Sequence, residues 1–137
     1  MKSRSGVRFA AAALIGLLAV PTVMAASPEG TWEIEMRDSR YKVELCGDDG
    51  AALCGTLIWL GNGADSPENL PYLNTLLIDH ARPTGPGQWQ GDLHIYGQSA
   101  AGTITQVSDD QIALEGCAFG IICKTYQLYR MSDAATR

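Results

Sequence analysis

QIALEGCAFGIICKTYQLYRM, residues 111–131, is the stretch that decides the fold of this chain. Two runs that alternate apolar and polar residues flank a short segment containing Cys117 and Cys123, a pattern typical of a β-hairpin joined by a disulfide. The alternation places both cysteines on the same face, so the sequence predicts that they pair. Arg130 ends the second run on the apolar side. We therefore predict that this hairpin supplies the closing strands of a small barrel.

Residues 1–25 have the pattern of a cleaved secretory signal peptide. Three basic residues, Lys2, Arg4 and Arg8, precede the apolar run 9–20, whose 12 residues are too few to span a bilayer, since a spanning helix needs about 20. We expect cleavage before Ala26, a mature domain of residues 26–137 without a transmembrane segment, and a periplasmic or secreted location.

The charge of the predicted mature domain excludes one class of partner. Three of the ten basic residues and none of the fifteen acidic ones lie before Ala26, which leaves a net charge of −8. A domain this acidic is not expected to bind nucleic acid or an anionic membrane surface.

Four cysteines in an exported chain of this size indicate two disulfides. In each half of the chain the two cysteines share the outward face of neighbouring strands and close a short loop. This favours the pairs Cys46–Cys54 and Cys117–Cys123, each contributing roughly 2–3 kcal/mol by the loop-entropy model. The alternative, a four-cysteine zinc site, lacks the closely spaced cysteine pairs that such sites use.

The rest of the mature domain reads as short strands with no helical periodicity. Predicted strands cover residues 31–37, 40–46, 53–60, 74–80, 88–96 and 103–107, followed by the two arms of the hairpin. Residues 81–87 and 97–102 read as turn-rich breaks, and residues 61–74 as one long irregular loop. The expected fold is therefore all-β, a small antiparallel up-and-down barrel of seven to eight strands, because closure removes exposed strand edges.

Several short motifs resemble one known family along the whole predicted mature domain. They are GTW at 30–32, LCG at 53–55, NTLLID at 74–79, WQG at 89–91, GCAFGIIC at 116–123 and the terminal YR at 129–130. These are similar to the exported bacterial proteins grouped as domain of unknown function 2147. The resemblance implies a lipocalin-like (calycin) barrel that is periplasmic or secreted, and it brings no established activity, catalytic residue or cofactor.

The first and last strands carry a pairing that lipocalins in the broad sense use to shut one end of the barrel. Trp32 opens the first strand and Arg130 ends the last one. A guanidinium packed on an indole ring contributes roughly 0.5–2 kcal/mol. We expect a structural role for both residues.

The expected function is that of a binding module holding a small apolar or amphipathic ligand inside the barrel. Six apolar or aromatic residues share inward parity and form the predicted ligand site: Leu57, Trp59, Trp89, Leu93, Ile95 and Tyr126. The long loop, with Leu70, Pro71 and Tyr72 at its tip, is the predicted lid. The alternative is an interaction or inhibitor protein that binds an envelope protein through exposed loop tips, among them Phe119.

The sequence offers weak signals for chemistry. The two histidines, His80 and His94, each have an aspartate nearby in sequence, and a metal or acid–base site would require the pairs to lie close together. His94 and Asp92 have outward parity, which favours solvated surface residues. No nucleophile motif is present, so we expect neither an enzyme nor a resident metal or cofactor.

Overall fold

The computed structural model describes residue 6, residues 10–19 and residues 26–132. The predicted signal peptide lies largely outside these residues, and the part that is described, residues 10–19, has no helix or strand. Within the described residues, none of the helical segments has the length and apolar character needed to cross a membrane.

Eight strands, one for each predicted segment and hairpin arm, form an antiparallel barrel closed in chain order. The strands are β1 (Gly30–Ile34), β2 (Ser39–Cys46), β3 (Ala52–Leu60), β4 (Leu76–Gly85), β5 (Gln88–Ile95), β6 (Gln98–Ser108), β7 (Gln111–Ala118) and β8 (Ile122–Arg130). One short 3₁₀ helix, Leu70–Tyr72, interrupts the connection between β3 and β4. The all-β barrel predicted from the alternating pattern is confirmed.

The two ends of the barrel differ. We call the end formed by the β2–β3, β4–β5 and β6–β7 turns the closed end, because the chain enters there and Arg130 covers it. The opposite end, which we call the open end, carries the β1–β2 connection, the long β3–β4 loop, the β5–β6 turn and the β7–β8 turn.

At the closed end, Arg130 packs on Trp32 as the sequence suggested. The guanidinium carbon lies 4.4 Å from the indole ring, and the two residues are direct neighbours in the β1–β8 register. The guanidinium also donates hydrogen bonds to the backbone carbonyls of Ser27, Glu29 and Asp109 at 2.6–2.7 Å. One side chain therefore holds the entering chain, the β6–β7 turn and the core tryptophan together.

Both predicted disulfides are confirmed, Cys46–Cys54 between β2 and β3 and Cys117–Cys123 between β7 and β8. All four cysteines are thus used. The second disulfide lies near the tip of the hairpin, where Phe119, Ile121 and Ile122 are 92%, 83% and 65% exposed.

Two strands are longer than the sequence indicated. β4 continues through Pro83 to Gly85, so the predicted break at 81–87 is confined to its last residues. Proline is tolerated there because the β4–β5 register is irregular around it, and an irregular ladder does not require every backbone N–H. β6 begins at Gln98 because Tyr96 and Gly97 both adopt positive φ angles, 44° and 81°, and make a tight two-residue turn.

Candidate functional site

The barrel interior contains a cavity at its open end. Its volume is about 100 Å³, and a smaller neighbouring cavity of about 20 Å³ shares four of its wall residues. The wall of the larger cavity consists of Ile34, Met36, Asp38, Ser39, Tyr41, Leu77, Ile95, Tyr96, Leu114 and Tyr126. Apolar side chains and three tyrosine rings therefore make up most of it, with one carboxylate and one serine hydroxyl.

Below this cavity the interior is filled by side chains. Leu93 is fully buried, and a β-carbon added at Gly102 would lie 2.6 and 2.9 Å from its two methyl carbons. Ile78 occupies the space above Gly55 in the same way, since a β-carbon there would lie 3.1 Å from it. Interior glycines thus make room for large neighbours, and this packing confines the cavity to the open end.

The polar part of the wall lies on β2. The Ser39 hydroxyl donates a hydrogen bond to the Tyr41 hydroxyl at 3.0 Å, and both residues are buried. Burial raises the pKa of Tyr41 to about 12, because the phenolate would lose its water, and the hydrogen bond from Ser39 offsets part of this rise. Burial, and then the negative charge of Asp38, raises the pKa of Tyr96. Both phenols are therefore neutral hydrogen-bonding groups at physiological pH.

The predicted lid contributes one residue to the site. Tyr72 lines the smaller cavity and meets Tyr96 edge to face, with ring centroids 5.8 Å apart. The loop around Tyr72 is held by backbone hydrogen bonds and by the Asn69 side chain, which donates to the Ala64 carbonyl at 3.0 Å. Leu70 and Pro71 are exposed to solvent. The lid position is thus occupied by a tyrosine at the edge of the mouth.

The predicted ligand residues separate into three groups. Leu57, Ile95 and Tyr126 line the two cavities at the open end. Trp89 and Leu93 are buried but belong to the packed part of the core, and the Trp89 indole N–H donates to the Ala51 carbonyl near the closed end at 3.0 Å. Their predicted inward direction is correct. They do not line the cavity because their positions on β5 lie farther from the open end than that of Ile95.

The predicted inward position of Trp59 is wrong. The β2–β3 register shifts between Arg40 and Tyr41, so that Leu57 faces Tyr41 whereas Trp59 faces Arg40. The Arg40 guanidinium carbon lies 4.3 Å from the indole ring, and Arg40 also pairs with Glu33 at 2.9 Å. The irregularity adds one residue to β3 and turns the indole to the outer wall, away from the cavity.

Tyr41 lines both cavities, and the sequence analysis does not identify it as a site residue. The sequence gives no signal for it, because Tyr41 continues the same inward row as Val43, which is packed core. Asp38, Ser39 and Tyr96 lie where the sequence predicts a strand end or turn. Their contribution depends on how the loops at the open end fold over the barrel, which alternation does not describe.

The two histidines lie close together on the outer wall. Asp79 and His80 on β4 and His94 on β5 form one exposed cluster, which meets the proximity condition stated above for a metal or acid–base site. His94 also lines the smaller cavity.

Comparison with known proteins supports the fold. A solved structure of a Helicobacter pylori protein, described as belonging to the lipocalin family, matches with a TM-score of 0.60 over 81% of this chain and 87% of that chain, at 14% identity. The barrel is therefore lipocalin-like. No protein-family profile matches the chain, so the resemblance to domain of unknown function 2147 stays a prediction. A search of curated proteins also finds no match.

Proposed function

We propose that this protein is an exported binding module that holds a small amphipathic molecule at the open end of its barrel. The observation that carries the proposal is the cavity of about 100 Å³ between Tyr41, Ile95 and Tyr126. Elsewhere the interior of this barrel is filled by side chains, for example where Leu93 packs over Gly102. A cavity kept open beside a mouth is the usual location of a ligand in a barrel of eight strands.

The wall chemistry defines the class of ligand. The apolar residues suit an alkyl or aromatic body, and the three tyrosine rings present electron-rich faces that attract a cation. Asp38 and the neutral phenols accept hydrogen bonds from a donor group on the ligand. The proposed ligand therefore has a small apolar body and a cationic or donor-bearing end.

The volume limits the size of the ligand. Pockets that hold drug-sized molecules measure roughly 300–1,000 Å³. A cavity of about 100 Å³ accepts a short chain or a single ring. A longer ligand requires the Tyr72 and Tyr96 rings to part, because they meet at the mouth.

A titration with two ligands of similar alkyl chain and opposite head-group charge tests the proposal. Hexyltrimethylammonium and hexanoate differ in the charge of the head group, and calorimetry should detect saturable binding of the cationic probe with at least tenfold preference over the anionic one. Tryptophan emission is a poor reporter, since Trp32 and Trp89 lie toward the closed end and Trp59 lies outside.

Two tyrosines on the same strand provide a matched pair of variants. Tyr126 lines the cavity, whereas Tyr129 is 47% exposed on the outer wall. Tyr126→Ala should abolish binding of hexyltrimethylammonium, and Tyr129→Ala should leave it unchanged. Equal effects of both variants, or no binding of either probe by the parent protein, would overturn the proposal.

Export is part of the proposal. Two disulfides support an oxidising compartment. Mass spectrometry of the protein recovered from the periplasm or medium should find a chain that begins at Ala26. A chain that keeps residues 1–25 and remains in the cytoplasm contradicts this part.

The hairpin tip supports a second candidate function, docking to an envelope protein. Phe119 and Ile121 are 92% and 83% exposed on a turn that the Cys117–Cys123 disulfide makes rigid. Exposed apolar anchors held in one conformation lose little entropy on binding. Phe119→Ser and Ile121→Ser should abolish recovery of a cross-linked envelope protein and leave hexyltrimethylammonium binding unchanged, which distinguishes the two functions.

A further inference from the structure

A cluster of two imidazoles and one carboxylate lies on the outer wall, where β4 and β5 meet. One oxygen of Asp79 lies 2.6 Å from Nδ1 of His80, and the other lies 3.7 Å from Nε2 of His94. These are the two histidines of the entire sequence, and they come together on one aspartate although they are on different strands. All three side chains are between 42% and 58% exposed, so they are accessible from solvent.

We propose that Asp79, His80 and His94 bind a divalent transition metal of the zinc or copper class. Neutral imidazole and carboxylate are the ligands that these ions share in proteins, and two histidines with one carboxylate form a common set. The proposal does not rest on the proposed function, because none of the three residues lines the larger cavity, although His94 also borders the smaller one.

The backbone at His80 supports this assignment. Consecutive residues of a strand normally point to opposite faces, yet Asp79 and His80 are both exposed between the buried residues Ile78 and Ala81. His80 has a φ of 50°, a conformation that is costly for a residue with a side chain, and the β4–β5 register is irregular there. This irregularity brings two potential ligands to the same side of the sheet, as bulges near functional sites often do.

The distance between Asp79 and His94 matches metal ligands better than a hydrogen bond. At 3.7 Å, Asp79 Oδ2 and His94 Nε2 are too far apart to share a proton. Two ligands that each lie 2.0–2.2 Å from a tetrahedral zinc ion are separated by about 3.4 Å. A shift of a few tenths of an ångström would thus bring both atoms to metal-binding distance.

A neighbouring hydroxyl orients the His94 ring. Nδ1 of His94 lies 3.0 Å from Oγ of Ser99 on β6. When this nitrogen donates to Ser99, the lone pair of Nε2 faces the Asp79 carboxylate, and a cation between the two acceptors relieves their repulsion. Ligating histidines commonly have their second ring nitrogen held by such an outer partner.

His80 completes the set by turning its exposed ring. In the structure its Nδ1 lies 2.6 Å from Asp79 Oδ1, too close for both atoms to bind one ion, and no choice of one donor atom from each of the three residues lies within 4.8 Å of the other two, so the ring must turn for all three to bind. A His80 ring nitrogen also lies within 4.8 Å of the sulfurs of Cys46 and Cys54. Those sulfurs form a disulfide and are not thiolate ligands. Binding must therefore be measured without reductant, because free thiols beside His80 would create a different site.

The test uses purified protein from which any polyhistidine tag has been removed, titrated with zinc chloride and with copper sulfate. Calorimetry should give one ion per chain with a dissociation constant below about 0.1 mM. With two imidazoles in the sequence, nitrogen-15 NMR should show both rings shifting in the same titration. Asp79→Asn, His80→Gln and His94→Gln should each weaken binding by at least about tenfold, since loss of an outer partner alone costs that much.

Asp92→Asn is the matched control, because Asp92 is an exposed carboxylate on β5 close to His94 and outside the cluster. It should leave the affinity unchanged. The proposal is overturned by the absence of saturable binding, by a single imidazole responding, or by a His80→Gln or His94→Gln variant that binds as tightly as the parent. Circular dichroism of each variant confirms that a loss of binding does not reflect unfolding, and the exposure of all three side chains makes folded variants the expected case.

Discussion

Replacing Leu93 and Gly102 singly and together tests whether the lower interior of the barrel is filled. Leu93 is fully buried against Gly102, and a β-carbon added at the glycine would lie 2.6 and 2.9 Å from its methyl carbons. Leu→Ala substitutions in cores cost about 2–5 kcal/mol. We expect about 3–4 kcal/mol for Leu93→Ala, because the glycines that face this side chain have no atoms that could move into the space.

The Gly102→Ala variant should be destabilised for the opposite reason. The new methyl group would overlap Leu93, and overpacking of a core costs roughly 1–3 kcal/mol. In the double variant the methyl group at position 102 enters space that Leu93 has left. The double variant should then lose about 3 kcal/mol of unfolding free energy, whereas the sum of the two single losses is about 6 kcal/mol. The difference is a coupling energy of about 3 kcal/mol.

Urea unfolding followed by tryptophan emission measures all four free energies of unfolding, because Trp32 and Trp89 are buried in the folded barrel. Gly116→Ala is the control, since its β-carbon would lie 3.4 Å from Leu93, an ordinary contact, and should change stability by less than about 1 kcal/mol. Additive losses for Leu93→Ala and Gly102→Ala would refute the reasoning. They would mean that the two residues do not compete for space and that the interior next to Leu93 is not filled as the structure indicates.

Two further predictions concern stability. Arg130→Ala should lower the free energy of unfolding by about 2–3 kcal/mol and the melting temperature by roughly 10 °C, because one guanidinium makes the Trp32 contact and three carbonyl hydrogen bonds. Arg130→Lys should lose less stability. An unchanged melting temperature of Arg130→Ala contradicts the proposed role of Arg130 at the closed end. The pKa of Tyr41 is about 12 in the folded state and 10.0 in the unfolded reference, so the folded state holds the phenol proton more tightly. The stability that the neutral phenol contributes is therefore complete below pH 10 and is lost as the pH rises toward 12. Between pH 10 and 11 the free energy of unfolding of the parent, measured in urea, should fall by about 1 kcal/mol relative to that of Tyr41→Phe. If the two proteins show the same dependence of stability on pH, Tyr41 is not a buried phenol of raised pKa.

Most of the fold could be predicted because each strand is short and half-buried, so the alternation of residues such as Trp32 and Ile34 with Thr31 and Glu33 records which side faces the core. The same parity gave both disulfides, since cysteines on one outward face of adjacent strands are within reach of each other. Where prediction of the strands failed, the cause was local composition. Pro83 and the glycines near Gln98 read as breaks, although the ladder accommodates them at an irregular pair and a two-residue turn.

The cavity could be predicted only in part, because alternation reports the direction of a side chain and not its height in the barrel. Leu93 and Ile95 have the same inward parity and lie two residues apart, yet Leu93 is packed over glycine and Ile95 lines the cavity. The difference depends on which residues other strands present at each level. A single strand does not contain that information, and the closed register of eight strands supplies it.

Two of the register irregularities, one on β3 and one on β4, had different consequences for chemistry, and the neighbours of the displaced side chains explain why. The irregularity on β3 turned Trp59 outward against Arg40, which itself pairs with Glu33, so the displaced side chain and its cation are already satisfied. The irregularity on β4 turned His80 outward beside Asp79, where one carboxylate faces two imidazoles and no cation is in contact with it among the described residues. The first arrangement is electrostatically complete and stabilises the wall. The second leaves one exposed carboxylate and two exposed imidazoles on the same side of the wall. These are ligand types that zinc and copper ions share, which is why the proposed metal site lies at Asp79, His80 and His94 and not beside Trp59.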